Sequence, residues 1–251
     1  MKTIKGEIEM KTLRLYSIGL VIIIAFTFSQ QTFAQDYGFY NQMFSNMLSN
    51  RIWDSIYEQS SPGYAEAKKK LSDSKSKSSA QTSPSPVTPG QMNRAVQFKS
   101  TGTRLMTQSF ADGLGDKYKK DKAVMKEMLT AILDRYDTEA AAKGYSNDLA
   151  LALASYIALN RRAYHGAREK SILPFEQNIG LRDTIAEYAA QNGAFNKMTD
   201  RQRQEMYEAL VMVGVLTHGL YEAAQEKKDT ETLKEIKQMA KGNLKSIGIK
   251  P

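Results

Sequence analysis

The sequence predicts an all-α protein, a helical bundle of about five to six helices around two apolar central helices, plus a separate N-terminal amphipathic helix. Two segments, 149–159 and 209–221, are apolar nearly all round, which is typical of helices buried in a core. The segments around them repeat apolar residues with helical spacing. No convincing strand pattern interrupts them.

Changes in composition divide the chain into four regions. We predict a signal peptide over 1–34 and the N-terminal amphipathic helix over 35–59. A disordered linker rich in Ser, Pro and Lys is predicted over 60–95, and the helical domain over 96–251.

An apolar stretch from 15 to 28 follows a start that is rich in lysine and arginine. Thr32 and Ala34 come next, at the −3 and −1 positions of a small-residue cleavage site. The stretch is shorter than the roughly 20 apolar residues that span a bilayer, so we expect cleavage after Ala34 and no transmembrane segment afterwards. The mature protein is therefore predicted in the periplasm or outside the cell. Met1 and Met10 are both open as the true start, because a signal counted from Met10 has the more usual length.

The N-terminal helix carries one apolar stripe, and leaving it in water forgoes about 25 cal/mol for each Å². Its partner-binding candidates, called the N-terminal stripe below, are Phe44, Leu48, Ile52, Trp53 and Ile56. The stripe can pack on the chain's own helical domain, on a second copy, or in the groove of a separate partner. We expect docking on the own domain, since a permanently exposed stripe is an aggregation hazard.

The linker holds four of the six prolines together with dense serine. Such a segment cannot bury enough apolar surface to offset the entropy of the chain, so we expect it to be mobile. Its end sets the predicted start of the helical domain at residue 96.

Capping residues divide the helical domain into six predicted helices. The third helix is expected to start at a Ser146-Asn147-Asp148 cap, the fifth at a capping box of Thr199 with Gln202, and the sixth at Asp229. The predicted spans are 103–112, 119–142, 146–166, 174–193, 199–228, and from 229 to Gly242 or Gly248. Small residues that would let the two apolar helices approach closely are Ala152, Gly214 and Gly219.

The absence of cysteine excludes disulfides, thiolate nucleophiles, cysteine-ligated metals and a lipid-anchored cysteine. The formal net charge of +8 favours weak attraction to an anionic envelope component or surface polymer. No aromatic–basic interleaving or nucleic-acid motif accompanies that charge, so we expect no specific nucleic-acid partner. We predict no cofactor.

The two histidines, His165 and His218, lie at the end of the third helix and inside the apolar fifth helix. Neither has the second histidine or the glutamate at the spacing of a zinc or di-iron site, so we predict no metal. We expect His218 to be a structural core histidine with one hydrogen bond. Paired carboxylates on the helices are expected to be solvated surface charges. They are Asp134 with Asp137, and Glu205 with Glu208.

A polar row lies on the otherwise apolar third helix. Tyr156, Asn160 and Tyr164 recur at i, i+4 and i+8, with His165 beside them. These four are the candidate ligand-binding residues, since they could line a small polar cleft. The other interpretation, which we favour, places them at the helix edge with their hydroxyls in water.

Two stretches of the helical domain carry a family resemblance, the first from Gly144-Tyr145-Ser146-Asn147-Asp148 to Asn160, the second Met198-Thr199-Asp200-Arg201-Gln202-Arg203-Gln204. They resemble an uncharacterised family of exported bacterial proteins, in which a signal peptide and a Ser/Pro-rich spacer precede a helical domain of unknown function. The resemblance covers about 96–250. It implies this architecture and assigns no catalytic residue.

These features favour an exported, non-enzymatic binding or interaction protein of the bacterial envelope or exterior, whose partner is an unidentified protein or envelope component. The alternative is a secreted hydrolase with a site assembled from Tyr156, Asn160 and His218. A purely structural envelope component is the third option. A deep polar pocket at Asn160 or His218 would favour the hydrolase, and an apolar groove or patch would favour the binding protein.

Overall fold

The computed structural model describes residues 87–112, 122–166 and 175–249, which form seven α-helices. In chain order they are α1 (Pro89–Val96), α2 (Thr107–Asp112), α3 (Lys122–Ala142), α4 (Leu149–His165), α5 (Phe175–Asn192), α6 (Asp200–Glu226) and α7 (Thr230–Ser246). Over these ranges no strand forms, and Gln97 and Asp148 make an isolated antiparallel bridge. The all-α prediction is confirmed. The predicted signal peptide, the N-terminal helix and the linker up to residue 86 lie outside the described residues.

The two apolar helices, α4 and α6, pack against each other at the centre of the bundle, as predicted. Helix α4 also packs against α5 and α7, and its residues 149–157 are all buried. At Gly214 of α6, a β-carbon would lie only 3.2 Å from the Cα atom of Tyr156, so this glycine permits the close approach. Gly219 is exposed and no atom lies near its β-carbon position, so the same prediction is wrong for Gly219.

Side-chain caps begin three of the helices where the sequence places them. At α4, the Oδ1 atom of Asp148 accepts a hydrogen bond from the backbone N–H of Leu151 (2.8 Å). Thr199 and Gln202 form the capping box of α6, and Asp229 caps α7. Each cap satisfies a backbone donor that has no partner inside its own helix.

Helix α1 lies inside the predicted linker 60–95 and corrects its boundary. Thr88 and Gln91 form a capping box, and Pro89 lies in the first turn, where a proline is favoured because its missing N–H is not needed. The helix packs against α5, and its last residue, Val96, is fully buried. The folded domain therefore begins before residue 96.

Most large apolar side chains in the described part of the chain are buried, and others, such as Phe110, Leu216 and Leu233, are partly buried. Among these residues Val124 is the large apolar side chain that is exposed, with 48 % of its surface accessible. In this same part, no helix combines the length and the apolar character that crossing a bilayer requires.

Candidate functional site

Tyr156 and Asn160, two of the four ligand-binding candidates, lie where α4, α6 and α7 meet. The Tyr156 hydroxyl donates a hydrogen bond to the backbone carbonyl of Asn243 (3.0 Å), and the Asn160 amide donates to the carbonyl of Tyr156 (2.9 Å). The Asn243 amide donates to the side-chain oxygen of Asn160 (2.8 Å) and to the Thr217 hydroxyl (3.3 Å). We call the side chains of Tyr156, Asn160, Thr217 and Asn243 the polar junction.

The polar junction points inward. Tyr156 is 6 % exposed and Asn160 is fully buried. Burial raises the pKa of the Tyr156 hydroxyl well above its ordinary value, although a hydrogen bond with Ser246 opposes the rise. The phenol therefore stays protonated as a hydrogen-bond donor. The interpretation that placed these two residues at a helix edge in water is wrong.

Sequence reasoning missed Asn243 and Thr217. Asn243 lies on the buried face of α7, between Ala240 and Leu244. A polar residue within the apolar row of an amphipathic helix signals a buried hydrogen bond, because an unpaired amide there is costly. Its partner Asn160 is 83 positions away in the chain, so the sequence does not identify the pair.

The other two candidates, Tyr164 and His165, lie at the end of α4. Tyr164 is partly buried and His165 is exposed, and their ring centroids are 4.8 Å apart in an edge-to-face arrangement. Partial burial, together with the positive charge of Arg161, lowers the pKa of His165. The predicted polar row is thus split into a buried half and a half near the surface.

His218 is buried in α6, with 4 % of its surface exposed. Neither ring nitrogen has a hydrogen-bond partner among the described residues, and the Nδ1 atom lies 3.8 Å from the Glu222 carboxylate. The predicted burial is confirmed, whereas the predicted hydrogen bond is not found there. Within the described ranges, no three His, Asp or Glu side chains gather in a group that could hold a metal ion.

Glu208 was predicted to be a surface charge, and it is fully buried. Its Oε2 atom accepts hydrogen bonds from the backbone N–H groups of Leu105 and Met106 (2.8 Å each), and its Oε1 atom accepts one from Gln204 (2.8 Å). These bonds fix the loop 101–106 to α6. Helix α2 begins at Thr107 and not at the predicted residue 103.

The predicted surface pair Asp134 and Asp137 binds Arg104, which reaches both carboxylates from the same loop. Asp134 is exposed as predicted. Asp137 also accepts a hydrogen bond from the Tyr207 hydroxyl at 2.5 Å. The side chain of Asp137 thus connects α3 with both the loop and α6.

A buried ion pair joins Arg182 of α5 to Asp148, which are 2 % and 0 % exposed. The Nε and Nη2 atoms of Arg182 both donate to Oδ2 of Asp148, at 2.9 and 2.5 Å. Nη2 also reaches Oδ1 of Asn93 in α1 (2.6 Å), and the guanidinium lies over the Tyr145 ring. Burial raises the pKa of Asp148, against the opposing effects of Arg182 and the N–H of Leu151. The pair therefore fastens α1, α4 and α5 at one point.

An open cavity of about 280 Å³ lies between α1 and the end of α5. Its lining residues are Val87, Gln91, Arg94, Ala95, Ala190 and Asn196. None of them belongs to the polar junction or to the predicted candidates, and none is fully buried. The cavity therefore brings no predicted site residue into contact with solvent.

A family model described as a family of unknown function (DUF6683) matches residues 12–251, which is well over half of the chain. No curated protein and no solved structure matches the chain. The predicted resemblance to an uncharacterised family is confirmed at this level. The family description assigns no activity, and export stays a prediction.

Proposed function

Since the chain belongs to the DUF6683 family of unknown function, we propose a function from its own residues. In this proposal the chain is an exported, non-enzymatic binding protein of the bacterial envelope or exterior. It binds a protein or envelope component through the N-terminal stripe. The helical domain is the stable body that carries this binding segment.

The proposal rests on one observation: the N-terminal stripe is rich in large apolar side chains, whereas the described surface of the helical domain exposes few of them. A stripe of five large apolar residues precedes a domain that, among its described residues, exposes the single large hydrophobic side chain of Val124. Burial of such a stripe requires a groove of matching apolar area. The other large apolar side chains of the described residues are buried or partly buried. This favours a groove on another molecule over docking on the own domain.

The polar residues of the domain are engaged in holding its helices together. Tyr156 and Asn160, on which the hydrolase alternative depends, bond to Asn243 across the interface between α4 and α7. His218 lies among apolar neighbours without a hydrogen-bonded partner in the described ranges. A hydrolytic site needs a nucleophile or base within reach of substrate, and these contacts give the hydrolase alternative no support.

Export predicts a defined new N-terminus. The exported protein should begin at or near Gln35, because Thr32 and Ala34 form the cleavage site. N-terminal sequencing of the protein recovered from the periplasm or the medium checks this. An uncleaved N-terminus in a membrane fraction would contradict export.

The N-terminal stripe is expected to be exposed in the isolated monomer and buried on binding. Trp53 is the only tryptophan, so its fluorescence reports on this segment alone. We expect emission typical of water-exposed indole and free quenching in dilute protein. On addition of an envelope extract we expect a blue shift in the difference spectrum against a Trp53→Phe variant, which subtracts the tryptophan emission of the extract. The double variant Leu48→Lys/Ile52→Lys should lose the blue shift, because two buried charges cost more than the apolar contact contributes.

The matched control is Asn50→Lys/Asp54→Asn, which raises the charge of the same segment by the same two units on the side of the helix opposite Ile52. This control should keep the blue shift. A buried, quencher-resistant Trp53 in the isolated monomer, unchanged by the extract, would instead establish docking on the own domain and reject the proposal.

A further inference from the structure

Four lysines follow one flank of α7, and we call them the lysine row. They are Lys234, Lys237, Lys241 and Lys245. At about 100° and 1.5 Å per residue, they fall within an arc of roughly 80° and extend over about 16 Å. Lys234 and Lys245 are exposed, and Lys237 and Lys241 are partly buried. The row is thus narrow, linear and accessible to solvent.

The positive charge of the lysine row is not neutralised within the described part of the chain. No described carboxylate forms an ion pair with any of the four lysines. The two glutamates of the helix, Glu231 and Glu235, lie on its other flank. Glu231 is a neighbour of Lys234 at i, i+3, whereas no carboxylate of α7 stands three or four positions from Lys237, Lys241 or Lys245. An anionic ligand could therefore approach these three lysines without meeting a carboxylate of α7.

Exposed faces of other helices are built differently. Helix α3 pairs Arg135 with Glu139 at 2.9 Å, and α6 pairs Arg201 with Glu205 at 3.0 Å, both at i, i+4. In α7 the i+4 positions of Lys237 and Lys241 are lysines again. Like charges at this spacing repel each other and destabilise the helix.

The helix dipole accounts for only part of the lysine row. A cation is favoured in the last turn of a helix, and Lys245 lies there. This effect falls off beyond the last turn, so it does not explain Lys234, Lys237 or Lys241. The mutual repulsion of these three is relieved when an anion binds along the row.

The lysine row lies next to the end of α4. The Nζ atom of Lys237 lies 3.7 Å from the position that a β-carbon on Gly166, the C-cap of α4, would occupy. The pKa of the neighbouring His165 is lowered, so the positive charge of this surface comes from the lysines.

We propose that the lysine row binds a linear acidic polysaccharide, with its carboxylates following the lysines along α7. The row runs along the helix axis, so one linear polyanion can contact all four lysines at once. The apolar face of α7 is buried against α4 and α6, so it supplies no side chain for insertion into a lipid surface. A single row with partly buried inner lysines fits a strand better than a flat bilayer. The presence of such a polymer at the protein rests on the proposed export.

The test compares two triple variants of the purified protein in binding to sodium polygalacturonate at low ionic strength. The row variant is Lys234→Gln/Lys237→Gln/Lys241→Gln, and it retains Lys245 for the helix end. The control variant changes three exposed lysines elsewhere and removes the same charge. It is Lys99→Gln/Lys126→Gln/Lys197→Gln.

We expect the row variant to bind roughly a hundredfold more weakly than the wild type, and the control variant to bind within about threefold of it. The melting temperature of the row variant should be unchanged or raised, since repulsion is removed. Equal losses in both variants, or no binding by the wild type, would overturn the proposal. Tighter binding to phosphatidylglycerol vesicles through the same lysines would overturn it in favour of a membrane surface. Neither variant alters the N-terminal stripe, so the Trp53 measurement tests the proposed function separately.

Discussion

Replacing Gly214 by alanine is expected to lower the free energy of unfolding by about 1–3 kcal/mol, although alanine is the better helix former. The new β-carbon would lie 3.2 Å from the Cα atom of Tyr156 and 3.4 Å from the Cδ1 atom of Leu159. The Leu159 methyl group can rotate away, but the Tyr156 atom belongs to the backbone of α4. The two central helices must therefore separate, which loosens the packing around them.

Gly219 provides the matched control on the same helix. No atom lies within 4 Å of its β-carbon position, so Gly219→Ala adds no contact and reduces the entropy lost on folding. This substitution should raise the free energy of unfolding by about 0.5–1 kcal/mol. Urea unfolding followed by circular dichroism measures both variants. Effects of the same sign at the two glycines would show that α4 and α6 are not in close contact at Gly214.

The central position of α4 and α6 could be predicted because a helix without a polar face has to be buried on every side. Three helix starts were also predicted, since the caps at Asp148, Thr199 and Asp229 are local in sequence. The start of α1 was missed, and α2 begins four residues after its predicted start. The different packing of Gly214 and Gly219 could not be predicted from the sequence. It depends on which side of α6 meets α4, and both glycines lie in the same apolar run.

Polar residues of the candidate site were harder to place than the helices. Glu208 resembles a surface charge by sequence, and it is buried only because a loop about a hundred residues earlier folds over it. Asn160 resembles a residue of a helix edge until Asn243 supplies its partner. In both cases a long-range contact determines the burial, whereas periodicity reports only on the residue's own helix.

Removing Arg182 is expected to cost more than any surface substitution. Arg182→Met leaves the Asp148 carboxylate buried without its cation, and breaking a buried pair in this way costs about 3–5 kcal/mol. The double variant Asp148→Asn/Arg182→Met should be more stable than Arg182→Met, because no unpaired charge is left. Arg135→Met, which removes an exposed arginine paired with Glu139, should change the stability by less than about 1 kcal/mol.

The stability lost in Arg182→Met should depend on pH in a defined direction. Burial already raises the pKa of Asp148 above its ordinary 3.8, and loss of Arg182 removes an effect that lowers it. A carboxyl group whose pKa is higher in the folded state than in the unfolded state contributes less stability as the pH rises through the interval between the two values. The difference in unfolding free energy between the wild type and Arg182→Met should therefore shrink as the pH falls from about 7 towards about 4. Urea unfolding of both proteins across this range measures it. A difference that stays constant with pH would show that loss of Arg182 leaves the pKa of Asp148 unchanged, so that the lost stability comes from packing alone.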